Sequence, residues 1–100
     1  MEEFSQQGGG RIGRSYWWAS NATWPFASLT VTRQTLTLQT PMKQYTFEKD
    51  AIAQLKRYQG VLSIGLQISH TKKDYPPFIV FWSFDFGTLK SELHRLGYNV

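Results

Sequence analysis

The chain has 100 residues, a formal net charge of +4, no cysteine, and aromatic side chains at 16% of positions. Without cysteine there is no disulfide framework, no thiolate nucleophile and no thiolate-bound zinc or iron–sulfur centre. The aromatic load excludes a disordered chain, and the length suits one domain. The modest positive charge favours anionic partners such as nucleic acid, phospholipid or acidic protein, although solubility alone accounts for it.

In chain order, residues 1–10 (MEEFSQQGGG) read as a flexible lead-in, because Gly8, Gly9 and Gly10 are entropically expensive to order and bring no side chains. Residues 11–100 then read as a single domain. The first fourteen residues hold no apolar stretch of the kind an export signal needs, and no apolar run approaches the ~20 residues of a membrane span. A cytoplasmic location is therefore expected. Residues 15–19 read as a strand, ended by a Ser20-Asn21 turn. Leu29-Thr30-Val31-Thr32 and Thr35-Leu36-Thr37-Leu38-Gln39 alternate cleanly and predict a hairpin around Arg33-Gln34. That turn has no Gly or Asn, so its type is open. Leu29, Val31, Leu36 and Leu38 face one way and the threonines the other, as in a half-buried antiparallel sheet.

Pro41 stops the third strand, and Gln44-Tyr45-Thr46-Phe47 alternates as a fourth. Residues 50–58 admit two readings. Ala51, Ile52 and Leu55 could line a short helix, or the segment is a strand whose apolar face is shifted by a bulge. Gly60 ends it in either case. Residues 64–69 alternate again, residues 70–77 form a polar loop, and Phe78-Ile79-Val80-Phe81-Trp82 is the continuous run expected of a strand buried on both faces. The last element changes period: Leu89, Leu93 and Leu96 share one helical face. Asp85 or Ser83 can cap its start, His94 and Arg95 suit its last turn, and Gly97 sits at C′. The leucine stripe needs an apolar surface, so the helix should plug an open end or edge of the sheet.

About seven strands followed by one C-terminal helix resembles the pleckstrin-homology-like superfold, in particular its GRAM-type and bacterial PH-like members. The resemblance spans about residues 11–98 and is carried by Trp24-Pro25-Phe26-Ala27-Ser28-Leu29, Gly65-Leu66-Gln67-Ile68-Ser69-His70 and Phe78-Ile79-Val80-Phe81-Trp82. It implies a mainly β split barrel of two near-orthogonal antiparallel sheets capped by the helix, and it favours the strand reading of residues 50–58. Lipid-binding members place Lys and Arg in the loop joining the first two strands. Here that loop reads as residues 20–26 (SNATWPF), with no basic residue, which speaks against phosphoinositide recognition.

No catalytic, metal or cofactor site is expected. His70 and His94 are the sole histidines, without the spacing of a metal set, and read as surface residues. Glu48 and Asp50 flank Lys49 as a charged strand end, too exposed to tune each other for acid–base work. No nucleophile can be given a base and an orienting group. Gly8-Gly9-Gly10 lacks the strand-then-helix setting of a phosphate loop, and Asn21-Ala22-Thr23, although it matches a glycosylation signal, reads more simply as a turn.

Two binding surfaces remain. Tyr16, Trp17, Trp18 and Trp24 form the densest aromatic cluster, and alternation turns one of Trp17 and Trp18 outward. Trp17, Trp18 and Trp24 are thus the candidates for binding a protein partner or a second copy of the chain, aided by an open sheet edge. The alternative is an anion-binding module for acidic lipid or single-stranded nucleic acid, through Arg33, Lys56, Arg57, Lys72 and Lys73. Both are non-enzymatic.

Overall fold

The structure, a computed structural model, describes residues 2–15, 17 and 19–100. Among them seven strands and one helix follow in order: β1 (Glu3–Gly13), β2 (Ala19–Thr32), β3 (Thr35–Gln39), β4 (Gln44–Glu48), a 3₁₀ turn (Lys49–Ala51), β5 (Ile52–Gln59), β6 (Ile64–His70), β7 (Phe78–Ser83) and α1 (Phe86–Arg95). The strands form one antiparallel sheet in the order β4-β3-β2-β1-β7-β6-β5, curled into a half-barrel. β1 joins the two halves, pairing with β2 along its length and with β7 from Gly9 to Gly13.

The expected β2–β3 hairpin is present in the expected register, Leu29 opposite Leu38 and Val31 opposite Leu36. Its turn works without Gly because the Thr32 hydroxyl accepts hydrogen bonds from the amides of Gln34 (3.3 Å) and Thr35 (3.1 Å). Leu29, Val31, Leu36, Leu38 and Phe47 are fully buried on the concave face. The unbroken run of β7 buries Ile79, Val80 and Phe81 in succession. Leu89, Leu93 and Leu96 of the helical segment complete the same core, so the helix does plug the sheet.

Two sequence expectations need correction, and a third, left open between helix and bulged strand, is decided. The supposed flexible lead-in forms most of β1. Its glycines are buried because neighbouring backbone crowds them: a β-carbon on Gly8 would stand 2.1 Å from the Trp82 carbonyl oxygen and 2.8 Å from the Phe81 ring. Second, the strand expected at residues 15–19 is met only at Ala19 among the described residues, Tyr16 and Trp18 lying outside them. The chain bends at Arg14, Ser15 and Trp17, and β2 begins only at Ala19. The Ser20-Asn21 turn and the loop at residues 20–26 both lie inside β2. Third, residues 50–58 follow the strand reading, as a 3₁₀ turn running into β5 with a register shift between Ile52 and Gln54.

Both ends of α1 are chemically fixed. The Asp85 carboxylate accepts from the Thr88 amide (3.1 Å) and hydroxyl (2.7 Å). At the other end Tyr98 donates its amide to Leu93 and Gly97 donates to His94, with Gly97 at φ +91°, a conformation that favours glycine. Lys49 donates to the carbonyls of Leu96 (3.1 Å) and Gly97 (3.3 Å) and lies 4.3 Å from the centre of the Tyr98 ring.

Tyr98 is buried, and its hydroxyl donates to the Thr32 carbonyl at 2.7 Å. Burial pushes its phenol up to about 12, against about 10 in an unfolded chain. The folded state therefore holds this proton more tightly. The associated stability is complete below pH ~10 and disappears as pH rises towards 12, an effect of roughly 2–3 kcal/mol. In an ultraviolet titration Tyr98 should ionise late, near pH 12, or only with unfolding. In Tyr98→Phe the late step should vanish; its survival in that variant would assign the shift elsewhere.

Candidate functional site

The sequence irregularities of β2, β5–β6 and β7 converge on one groove. The β1–β2 register steps from Gly8↔Ala27 to Gly10↔Ala22. Thr23, Trp24, Pro25 and Phe26 therefore have Gly9 alone opposite them and bulge outward. The Trp24–Pro25 bond within this bulge is cis. Extra residues that bend a strand re-aim its side chains, and here Trp24 is 52% and Phe26 63% exposed.

Across the groove, the Gly60 amide donates to the Ser63 carbonyl (2.8 Å), which leaves Val61 and Leu62 as the tip of the β5–β6 hairpin. They are 84% and 95% exposed. The floor holds Trp82, whose indole fits over Gly60 and Gly65; β-carbons there would approach the ring to 2.7 and 2.9 Å. The third wall is Phe84, 79% exposed, which meets Trp24 edge-on with ring centroids 5.3 Å apart. Phe84 is held between fixed neighbours: Ser83 donates to the Gln6 side-chain oxygen (2.6 Å) and accepts from the Asp85 amide (3.1 Å), and Gln6 donates to the Asp85 carbonyl (3.3 Å). The groove encloses about 510 Å³, and among the described residues Arg11 is the one charged residue lining it.

A second groove, about 960 Å³, opens at the loop end of the half-barrel between Arg14, Trp17, Lys43, Tyr45 and residues 74–77. Trp17, 82% exposed, lines this groove, whereas Trp24 lines the first. The expected aromatic cluster is thus divided, and Trp18 lies outside the described residues. The β1–β2 connection falls between Gly13 and Ala19 and carries Arg14, so the segment 20–26, which has no basic residue, is not the loop that joins the first two strands. Lys43 places its ammonium 5.3 Å from the Tyr45 ring centre and 5.6 Å from that of Tyr75. Burial, and secondarily Tyr75, raise the Tyr45 phenol above its ordinary value.

The five cations proposed from sequence do not converge. Arg33, in the β2–β3 turn, pairs with Glu2, which also reaches Arg95 on α1 at 3.3 Å. The hydrogen bond from Arg33 lowers the Glu2 carboxyl below its ordinary range. Lys56 and Arg57 are successive residues of β5 and so point to opposite faces. Lys73 is exposed in the β6–β7 loop.

Lys72 has a structural task. It donates to the Thr46 carbonyl (3.3 Å) and stands 3.7 Å from the Glu48 carboxylate and 4.8 Å from the Tyr75 ring centre. The Thr46 amide donates to the Tyr75 hydroxyl at 3.2 Å. Both polar groups of the middle residue of edge strand β4 are thereby covered by side chains of the β6–β7 loop.

His70 organises that loop. Its Nδ1 accepts from the Lys72 amide (3.0 Å), so its Nε2 carries the proton donated to the Pro76 carbonyl (2.8 Å). It is half-buried and built into the loop, where a plain surface histidine was expected. Among the described residues no group of three or more His, Cys, Asp or Glu could hold a metal ion, and no helix is long and apolar enough to cross a membrane. No protein-family model, curated protein or solved structure matches the chain.

Proposed function

We propose that the chain is a non-enzymatic binding module of pleckstrin-homology-like architecture, and that its working surface is the groove between the β2 bulge, the β5–β6 tip and Phe84, with a protein surface as ligand. The strand order and the helix closing the half-barrel support the architectural part. The observation that carries the functional part is the gathering of Trp24, Phe84, Val61 and Leu62 around one groove, each more than half exposed. A lone exposed leucine is ordinary. A contiguous apolar patch is costly in water and marks an interaction site, and Trp is a frequent centre of binding energy.

The test is Trp24→Ala. Half of this side chain is already in solvent and it is outside the buried core, so the unfolding midpoint should move by no more than a few degrees. Association, read by light scattering and by recovery of co-purifying partners, should weaken about 30-fold, the loss of a typical hot-spot tryptophan. Undiminished mass and partners in Trp24→Ala would remove the groove from consideration.

A second reading is favoured by the loop-end groove, which Arg14, Lys43 and Trp17 line together with Asp74. An acidic lipid headgroup suits that chemistry better than the five cations expected from sequence. Under it, Trp24→Ala leaves binding intact and added salt abolishes it.

A further inference from the structure

We infer that the occupant of the apolar groove is a second copy of this chain, the Val61-Leu62 tip of each copy seated in the groove of the other. The inference rests on the groove being a binding surface and names what fills it. Turn chemistry is the first support. Two-residue hairpin tips favour Asn, Asp and Gly, which accept positive φ. Here the tip is Val-Leu, and among the described residues no residue other than glycine has positive φ. Neither side chain reaches the core, at 84% and 95% exposure. Nothing within the hairpin therefore accounts for two large aliphatics at its point, and such departures from local preference are expected at working sites.

Shape is the second support. The projecting tip and the recess lined by Trp24, Trp82 and Phe84 adjoin on one face. A two-fold interface requires such self-complementarity, a knob beside its own kind of hole. The walls are also preorganised, Trp24 against Phe84 and Phe84 by its bonded neighbours, which lowers the entropy lost on docking.

Charge is the third. Residues 59–64 (QGVLSI) carry no charge, and no carboxylate lines the groove among the described residues. The tips thus bring no charge of their own into a groove whose one charged lining residue among those described is Arg11, and no carboxylate is buried there.

Sedimentation velocity over a concentration series tests this. The wild-type chain should dimerise reversibly. Leu62→Ser should raise the dissociation constant at least about 30-fold, because a two-fold interface loses the side chain twice. Its unfolding midpoint at matched monomer concentration should not fall. Trp24→Ala should impair the groove by a comparable amount. Mixing the two variants should not restore the wild-type dimer, since the one intact tip–groove contact of the mixed pair is offset by a second contact impaired on both sides. A wild-type monomer at all concentrations, or a dimer indifferent to Leu62→Ser, overturns the inference. If Trp24→Ala still loses a different partner in those cases, the proposed function stands; if it loses none, both fall.

Discussion

Alanine at Gly8 is expected to lower the unfolding free energy by about 3 kcal/mol, while alanine at Gly10, two residues along the same strand, changes it little or raises it. The added β-carbon at Gly8 would meet the Trp82 carbonyl at 2.1 Å and the Phe81 ring at 2.8 Å, and backbone on the adjoining strand cannot yield as a side-chain tip can. Forcing atoms into a filled interior typically costs about 1–3 kcal/mol, with backbone clashes at the top of that range. At Gly10 the nearest atom is the Val80 carbonyl oxygen at 3.6 Å, an ordinary contact. Relief from the entropic cost of glycine in a strand, about 0.5–1 kcal/mol, then favours the alanine. Urea unfolding of the two variants in parallel measures the difference. Equal effects would mean that β1 does not pass against β7 as described.

Leu93→Ala should cost about 2–5 kcal/mol. The side chain is fully buried in the common core with Leu89 and Leu96, and its removal leaves a cavity as well as losing transfer energy. For a chain of this size each kcal/mol lowers the melting temperature by roughly 4–8 °C, so calorimetry should register a fall of at least roughly 8 °C. Lys90→Ala, exposed on the same helix, should stay within about 0.5 kcal/mol. A mild Leu93→Ala would detach the helix from the sheet and reopen the architecture.

The parts of the fold that were readable in advance are those where burial and period coincide. Leu29, Val31, Leu36 and Leu38 alternate because one face of their hairpin is wet, and Leu89, Leu93 and Leu96 recur at helical spacing because one stripe is dry. β1 and the start of β2 escaped because their burial is carried by backbone. Gly8 to Gly10 leave no side-chain pattern to read, and the four-residue bulge at Thr23 to Phe26 breaks the period inside a single strand. The cations misled for a different reason. Arg33 and Glu2 are 31 residues apart, and local spacing says nothing about which carboxylate a guanidinium will meet. Trp24 was found from sequence, but Val61, Leu62, Phe84 and Trp82 were not singled out. The available signal was two aliphatic residues directly after Gly60 and before Ser63, where a tight turn asks for small polar ones.

The cover that Tyr75 and Lys72 place over Thr46 bears on how copies of this molecule can accumulate. Runaway polymerisation by strand addition needs each subunit to offer two bare borders, one to receive and one to pass the pairing on. With the middle of the β4 border occupied by its own loop, a chain of subunits would have to displace that loop at its second point of growth. The cover therefore works against open-ended strand addition at this border, and Tyr75→Ala, by uncovering the Thr46 amide, should raise the tendency to form fibres.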